Sequence, residues 1–429
     1  MHIVSSRTRV GKTFLAACGI SALLASAAAA GPNAAATQRS SDGGGPGRVI
    51  TLTTAKVGAP GNPSVAVLPF EDAVYPTCAD APPSPKQCAT LGSVAYPYQI
   101  GQLEITVEQY VDFLNTVDPE GLNQHALWNP IESSAAWPKY GQIDLAPGAG
   151  RGAHYTVAFP EWADKPYAFA DFLKEARFVN SLSNGRLISR TDSTSGSFGY
   201  TSYRIELSPR TEQGMYDLDQ HAPTRTRDNG FVVPSQDEWV KAAYYDPTGG
   251  GTLSYWKYPT NPGVFGDGDA TAPNATVLNP TTGDVTNQGQ QPLANYTPAN
   301  GSAPTWCPGQ IPTDVCNTAN PLGLDPTEYA KRYQGVVATV GQTRTPSPWG
   351  TFDQGGNTVE WTDTITPGPT GGDSALVWRR LHGGVSNSPA YQMWLSATGL
   401  TPQGNTFFNG YPWFGMRIGI IGDLNPCAH

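Results

Sequence analysis

The chain has 429 residues, only 14% of them charged, and a formal net charge of −9. That acidic balance argues against a nucleic-acid-binding surface. The 48 glycines and 39 prolines argue against a stack of long helices and for one loop-rich domain held by aromatic clusters.

Residues 1–30, MHIVSSRTRVGKTFLAACGISALLASAAAA, have a basic start, an apolar run and a small-residue exit, the layout of a secretory signal peptide. Leu15-Ala16-Ala17-Cys18 imitates a lipoprotein processing box, but the apolar run continues past Cys18, so cleavage is expected near Ala30. Cleavage removes Arg7, Arg9 and Lys12 and no acid, which takes the net charge to −12. No later segment has the roughly 18 uninterrupted apolar residues of a membrane span. The mature chain is therefore expected to be secreted or periplasmic, with no membrane span and no nucleic-acid partner. Residues 31–48 read as a flexible glycine-rich lead-in, and residues 49–429 as a single domain.

In an oxidising compartment Cys78/Cys88 and Cys307/Cys316, each flanking a short Pro-containing loop, read as local disulfide clips. Cys427 has no evident partner.

The first clear helix lies in EITVEQYVDFLNTV. Thr106 and Gln109 make a capping-box pattern there, and Val107, Tyr110, Val111 and Leu114 fall on one face. A second is expected over Phe169 to Leu182, closed by Asn184-Gly185. In VPSQDEWVKAAYYDP, Ser235 and Glu238 repeat the capping box, Trp239, Ala242 and Ala243 line the buried side, and Pro247 ends the helix. Asp267 and Asp269 in FGDGDA are of the residue type calcium uses, but they suit a solvated acidic turn better. Near the C-terminus VWRRLHGGV reads as a strand entering a glycine bend, and GMRIGI as a closing strand.

Between these lies GTFDQGGNTVEW, Gly350 to Trp361. Adjacent glycines let the chain fold back tightly, and Asp353 and Glu360 supply hard oxygens of the kind calcium prefers. Catalytic signatures are absent: there is no HExxH, Walker loop, GxSxG or Rossmann fingerprint. The histidines His125, His154, His221, His382 and His429 have no ligand spacing.

Taken in order, YQIGQLEITVEQYVDFLN, TEQGMYDL, FVVPSQDEWVKAAYYDP with YWKYPT, PSPWGTFDQGGNTVEW, RRLHGGV and GMRI resemble the formylglycine-generating enzyme (sulfatase-modifying factor) family, looking closest to its secreted bacterial branch. The resemblance spans roughly Val57 to Ile420. It implies an α+β, C-type-lectin-like fold with little regular secondary structure. It also implies a structural calcium at the glycine bend, with side-chain ligands Asp353 and Glu360 and carbonyls from Gly356 and Thr358. A second calcium site would begin near Asn274. Where the family carries a copper-binding cysteine pair after its glycine bend, alignment on Gly383-Gly384 places Ser388 and Met393, with Val385 where the family has a serine. Neither supplies a thiolate, so no copper is expected, and no iron either, because the related branch that carries iron holds it in a His-bearing N-terminal domain and the N-terminal extension here has no histidine after His2.

The resulting expectation is a non-catalytic, calcium-stabilised module that binds a peptide, glycan or protein through the segment Val385 to Phe414. His382, Ser388, Tyr391, Met393, Phe407 and Tyr411 are its candidate ligand-binding residues. The alternative is an oxygen-dependent or other enzyme with a diverged active site, for which His382 and Arg380 would be the first polar candidates. A deep pocket uniting them with an acid would favour the enzyme.

Overall fold

The structure, a computed structural model, describes residues 48–67, 89–135, 141–249, 254–264, 272–279, 282–296, 337–368, 373–386, 388–404 and 413–424. The signal segment and most of the lead-in lie outside the described residues, as do Cys78, Cys88, Cys307, Cys316, Cys427, Asp267, Asp269, Phe407 and Tyr411.

The architecture is mixed α+β, with three α-helices among the described residues and two principal sheets. The strand Val49–Val57 alternates buried with half-buried residues through most of its length, the period-two signature of a strand with one face in a core. It pairs antiparallel with Phe198–Glu206 on one side and Tyr98–Gly101 on the other. Arg186–Ser195, Gly419–Ile421 and Gly230–Val232 complete this six-stranded sheet. The second sheet has four strands, in the order Gly399–Pro402, Trp378–His382, Val359–Thr366 and Phe414–Gly415, the last pairing parallel.

Helix α1 (Val107–Val117) starts as its sequence dictates. The Thr106 hydroxyl accepts the Gln109 N–H, and the Gln109 side chain accepts the Thr106 N–H. A cap of this kind is worth about 1 kcal/mol. Helix α2 (Phe172–Ser183) begins three residues later than the sequence suggests. Asp171 supplies the cap, while Phe169 and Ala170 remain extended and pair with Phe414. The two helices meet through Phe113 and Phe178, 5.2 Å apart edge-on, and Tyr110 also stacks at 3.7 Å on Tyr167 from the segment before α2. Helix α3 (Gln236–Tyr244) carries the second capping box and buries Trp239, Ala242 and Ala243. It packs against the four-stranded sheet and brings Trp239 onto the Glu360–His382 register pair.

The expected closing strand is divided. Phe414–Gly415 belongs to the four-stranded sheet and Gly419–Ile421 to the six-stranded one, so Met416 to Ile418 cross from one to the other through the core. Among the described residues no helix is long and apolar enough to cross a membrane.

Candidate functional site

Two glycine bends face one another beneath α3. At the first, Gly356 has φ +82°, and a Cβ there would sit 2.1 Å from the Asn295 carbonyl oxygen. Only glycine fits this approach. Its N–H donates to the carbonyl of Gly383 in the second bend.

The carboxylates of the first bend are buried in a polar knot around Arg417. Both Glu360 and Arg417 have no exposed surface. The guanidinium donates to Glu360 through Nε at 2.8 Å and Nη2 at 2.6 Å, and to the carbonyls of Gly101 and Phe352 at 2.9 Å each. The Trp239 indole N–H adds a bond to Glu360 at 2.6 Å. Asp353 accepts the Gly341 N–H and the Thr343 hydroxyl, the latter at 2.7 Å. Glu104, reaching in from the segment before α1, accepts the Asn357 amide at 2.7 Å together with the Thr358 N–H and hydroxyl. Burial, then the charges of Asp353 and Glu360, holds the Glu104 pKa well above the usual carboxylate range. Burial also raises Asp353. For Arg417 burial disfavours the cation, but Glu360, Glu104 and Asp353 outweigh it and its pKa is raised.

This donor set does not fit calcium as folded. A calcium ion needs several oxygens open toward one point, whereas Glu360 faces a guanidinium and an indole N–H, and Asp353 faces a peptide N–H and a hydroxyl. Arg417 holds the position of the balancing cation. Gly356 and Thr358 do lie in the bend, but Asn274 is exposed on the short strand Asn274–Ala275, where its amide donates to the Gln290 carbonyl. Among the described residues no group of three or more His, Cys, Asp or Glu is arranged to hold a metal.

The second bend, with Gly383 at φ +107° and Gly384 at φ +70°, carries the candidate ligand-binding residues. His382 stacks on Trp239, ring centroids 5.1 Å apart at 22°, and neither ring nitrogen has a hydrogen-bond partner. Burial, then the Arg380 charge, pushes its pKa down to about 3, so the imidazole is neutral at ordinary pH. Arg380 itself ends on the Thr366 hydroxyl at 3.0 Å. Ser388 is buried, and its oxygen accepts the Val385 N–H at 3.2 Å, closing the turn. Met393 has no exposed surface and packs with Tyr258, Ala294 and Tyr296. Tyr391, by contrast, is 40% exposed.

Residues outside the sequence reading complete this face. The strand Trp256–Tyr258 places Lys257 over the Trp394 ring, its Nζ 4.9 Å from the centroid, and the Trp394 indole N–H donates to the Tyr258 hydroxyl at 2.7 Å. Tyr391 meets Trp394 at 6.3 Å and 68°. The sequence signal was the alternation in WKY, a cation between two aromatics. Elsewhere a cavity of about 300 Å³ is lined by Thr51, Thr53, Glu104, Glu161, Asp164 and Asp284, among others, and includes neither His382 nor Arg380.

No protein-family model matches the chain, and no curated protein matches it. Among solved structures it is similar to Treponema denticola variable protein 1, with 17% identity and a TM-score of 0.40 over 86% of this chain and 95% of that one. It is also similar to CarF, with 13% identity and a TM-score of 0.32 over 88% and 99% of the two chains. PvdO from Pseudomonas aeruginosa matches at 11% identity and a TM-score of 0.36 over 87% and 94%. Likenesses of this size assign no activity, and the functional reading rests on the site.

Proposed function

We propose that the chain is a secreted or periplasmic sulfatase-modifying-factor-like domain of C-type-lectin-like fold that lacks the copper-binding cysteine pair. It works as a non-catalytic module binding a peptide or protein ligand at the second glycine bend. The observation that carries this reading is the state of Ser388 and Met393. The first spends its hydroxyl closing a turn, and the second is sealed in an apolar cluster. A copper(I) centre needs soft ligands that converge on an open position, and neither residue supplies a thiolate.

The polar candidates for an alternative reaction do not converge either. Proton transfer needs a group whose pKa lies near the working pH and that reaches substrate. His382 is buried with a pKa near 3, and Arg380 is turned to Thr366. Among the described residues the bend offers to solvent Tyr391 beside a cation–aromatic cluster, a surface suited to recognition. The test is incubation of copper-treated protein with a sulfatase-type cysteine peptide and oxygen, read by mass spectrometry. The expected product is unmodified peptide; a copper-dependent aldehyde at the cysteine would overturn the proposal.

A further inference from the structure

We infer that Lys257 is the anion-recognising element of the proposed site and that its ligand is an acidic peptide segment presenting an Asp or Glu side chain beside Tyr391. This rests on the binding reading above and adds the chemistry of the ligand.

The buried lysines of the molecule make the comparison. Lys174 donates to Glu132 at 2.9 Å, Lys165 to the Val337 carbonyl at 2.9 Å, and Lys241 to the Ala59 carbonyl at 2.9 Å. Lys257 is 7% exposed, as buried as Lys174, yet among the described residues no carboxylate or other acceptor meets its ammonium. Only rings do: Trp394 at 4.9 Å and Tyr258 at 6.0 Å. Ring faces attract and orient a cation but supply no hydrogen-bond acceptor. A lysine whose stem is buried and whose ammonium meets only rings has room for an anion as its hydrogen-bonding partner.

The surroundings narrow the anion to a peptide carboxylate. Trp394 has Lys257 over its ring and Tyr391 set against it at 68°, and its N–H is given to Tyr258. Little free indole face is left for stacking a sugar ring. Tyr391 is instead an exposed, amphipathic anchor of the kind protein interfaces use. The chain's net charge of −9 repels acidic partners in general, so an acidic segment gains affinity here only by placing its carboxylate on Lys257.

The experiment titrates the full-length protein with two acetylated, amidated pentapeptides, Gly-Glu-Tyr-Glu-Gly and Gly-Gln-Tyr-Gln-Gly, and with a galacturonate pentamer, at 20 and 200 mM salt, where the Debye length is roughly 20 and 7 Å. The Glu peptide is expected to bind at least about tenfold more tightly than its Gln twin, with the ratio shrinking at high salt. Lys257→Met should remove the preference with an unchanged or higher Tm, and Lys257→Arg should keep it. Equal binding of the two peptides, no binding of either, or a preference that survives in Lys257→Met would overturn the inference. Tighter binding of the galacturonate would also overturn it, in favour of a glycan. A wild type without Glu preference whose peptide binding is nonetheless lost in Tyr391→Ala would discard the anion and leave the binding reading standing.

Discussion

The two glycine bends share a tight backbone and differ in what their polar groups meet. Around Gly356 the charged groups are matched: Glu360 by Arg417 and Trp239, Asp353 by Gly341 and Thr343, and Glu104 by Asn357 and Thr358. Beside Gly383, among the described residues, neither nitrogen of His382 meets a hydrogen-bond partner and Lys257 meets rings rather than an acceptor, while Tyr391 is 40% exposed. A matched polar set over-determines a conformation, while an unmatched one costs stability that only a ligand recovers. The first bend is therefore closed on itself, and the second is where the proposed binding site lies.

The largest effect should come from breaking the matched bend. Arg417→Met removes the partner of a fully buried Glu360 and takes a favourable charge away from Glu104 and Asp353, so a loss of about 3–5 kcal/mol is expected in urea unfolding. A loss below about 1 kcal/mol would show that the knot is not what holds the sheets together.

Two pH dependences of opposite sign separate the bends next. His382 has a folded pKa of about 3, far below its ordinary value, so between those limits the unfolded chain binds a proton that the folded chain does not. Its contribution is present above the ordinary histidine range and declines as pH falls toward 3, with a slope of up to about 1.4 kcal/mol per pH unit. His382→Phe should flatten that slope in melts between pH 4 and 7. Glu104 runs the other way. Its folded pKa is raised, so the folded chain holds a proton the unfolded chain has released, and its contribution weakens as pH rises above the ordinary carboxylate range. Glu104→Gln should remove that decline over the same melts. Unchanged slopes in both variants would erase the distinction.

The smallest expected effect concerns calcium. With Arg417 as the internal cation, chelation should change Tm by less than about 1 °C, since an ion stabilises only the state that binds it. A drop of several degrees that is absent in Asp353→Ala would instead give the role to a calcium ion at Asp353 and Glu360, with their present hydrogen bonds exchanged.

What could be read from the sequence was local. The capping boxes at Thr106 and Ser235 are written within four residues, and both helices start there. The strand into Gly383-Gly384 and the bend at Gly355-Gly356 follow from short patterns as well. The misread features depend on distant partners. Phe169 and Ala170 stay out of α2 because they pair with Phe414, and GMRIGI divides because its two ends join different sheets. The acids at the first bend were legible as hard ligands, but nothing in their spacing announces Arg417, 57 residues beyond Glu360, or Glu104, 254 residues before Thr358. The place of Lys257 is not written locally either, since its rings come partly from Trp394, far along the chain.

The central claim is that the second bend recognises and does not oxidise, and metal analysis of the purified, exported protein tests it most directly. Copper and iron are each expected well below one equivalent per chain, because Ser388 and Met393 offer no thiolate and the sole buried histidine of the bend is held neutral between Trp239 and the sheet. Copper or iron at about one equivalent, retained through desalting and lost in Met393→Ala, would contradict the account.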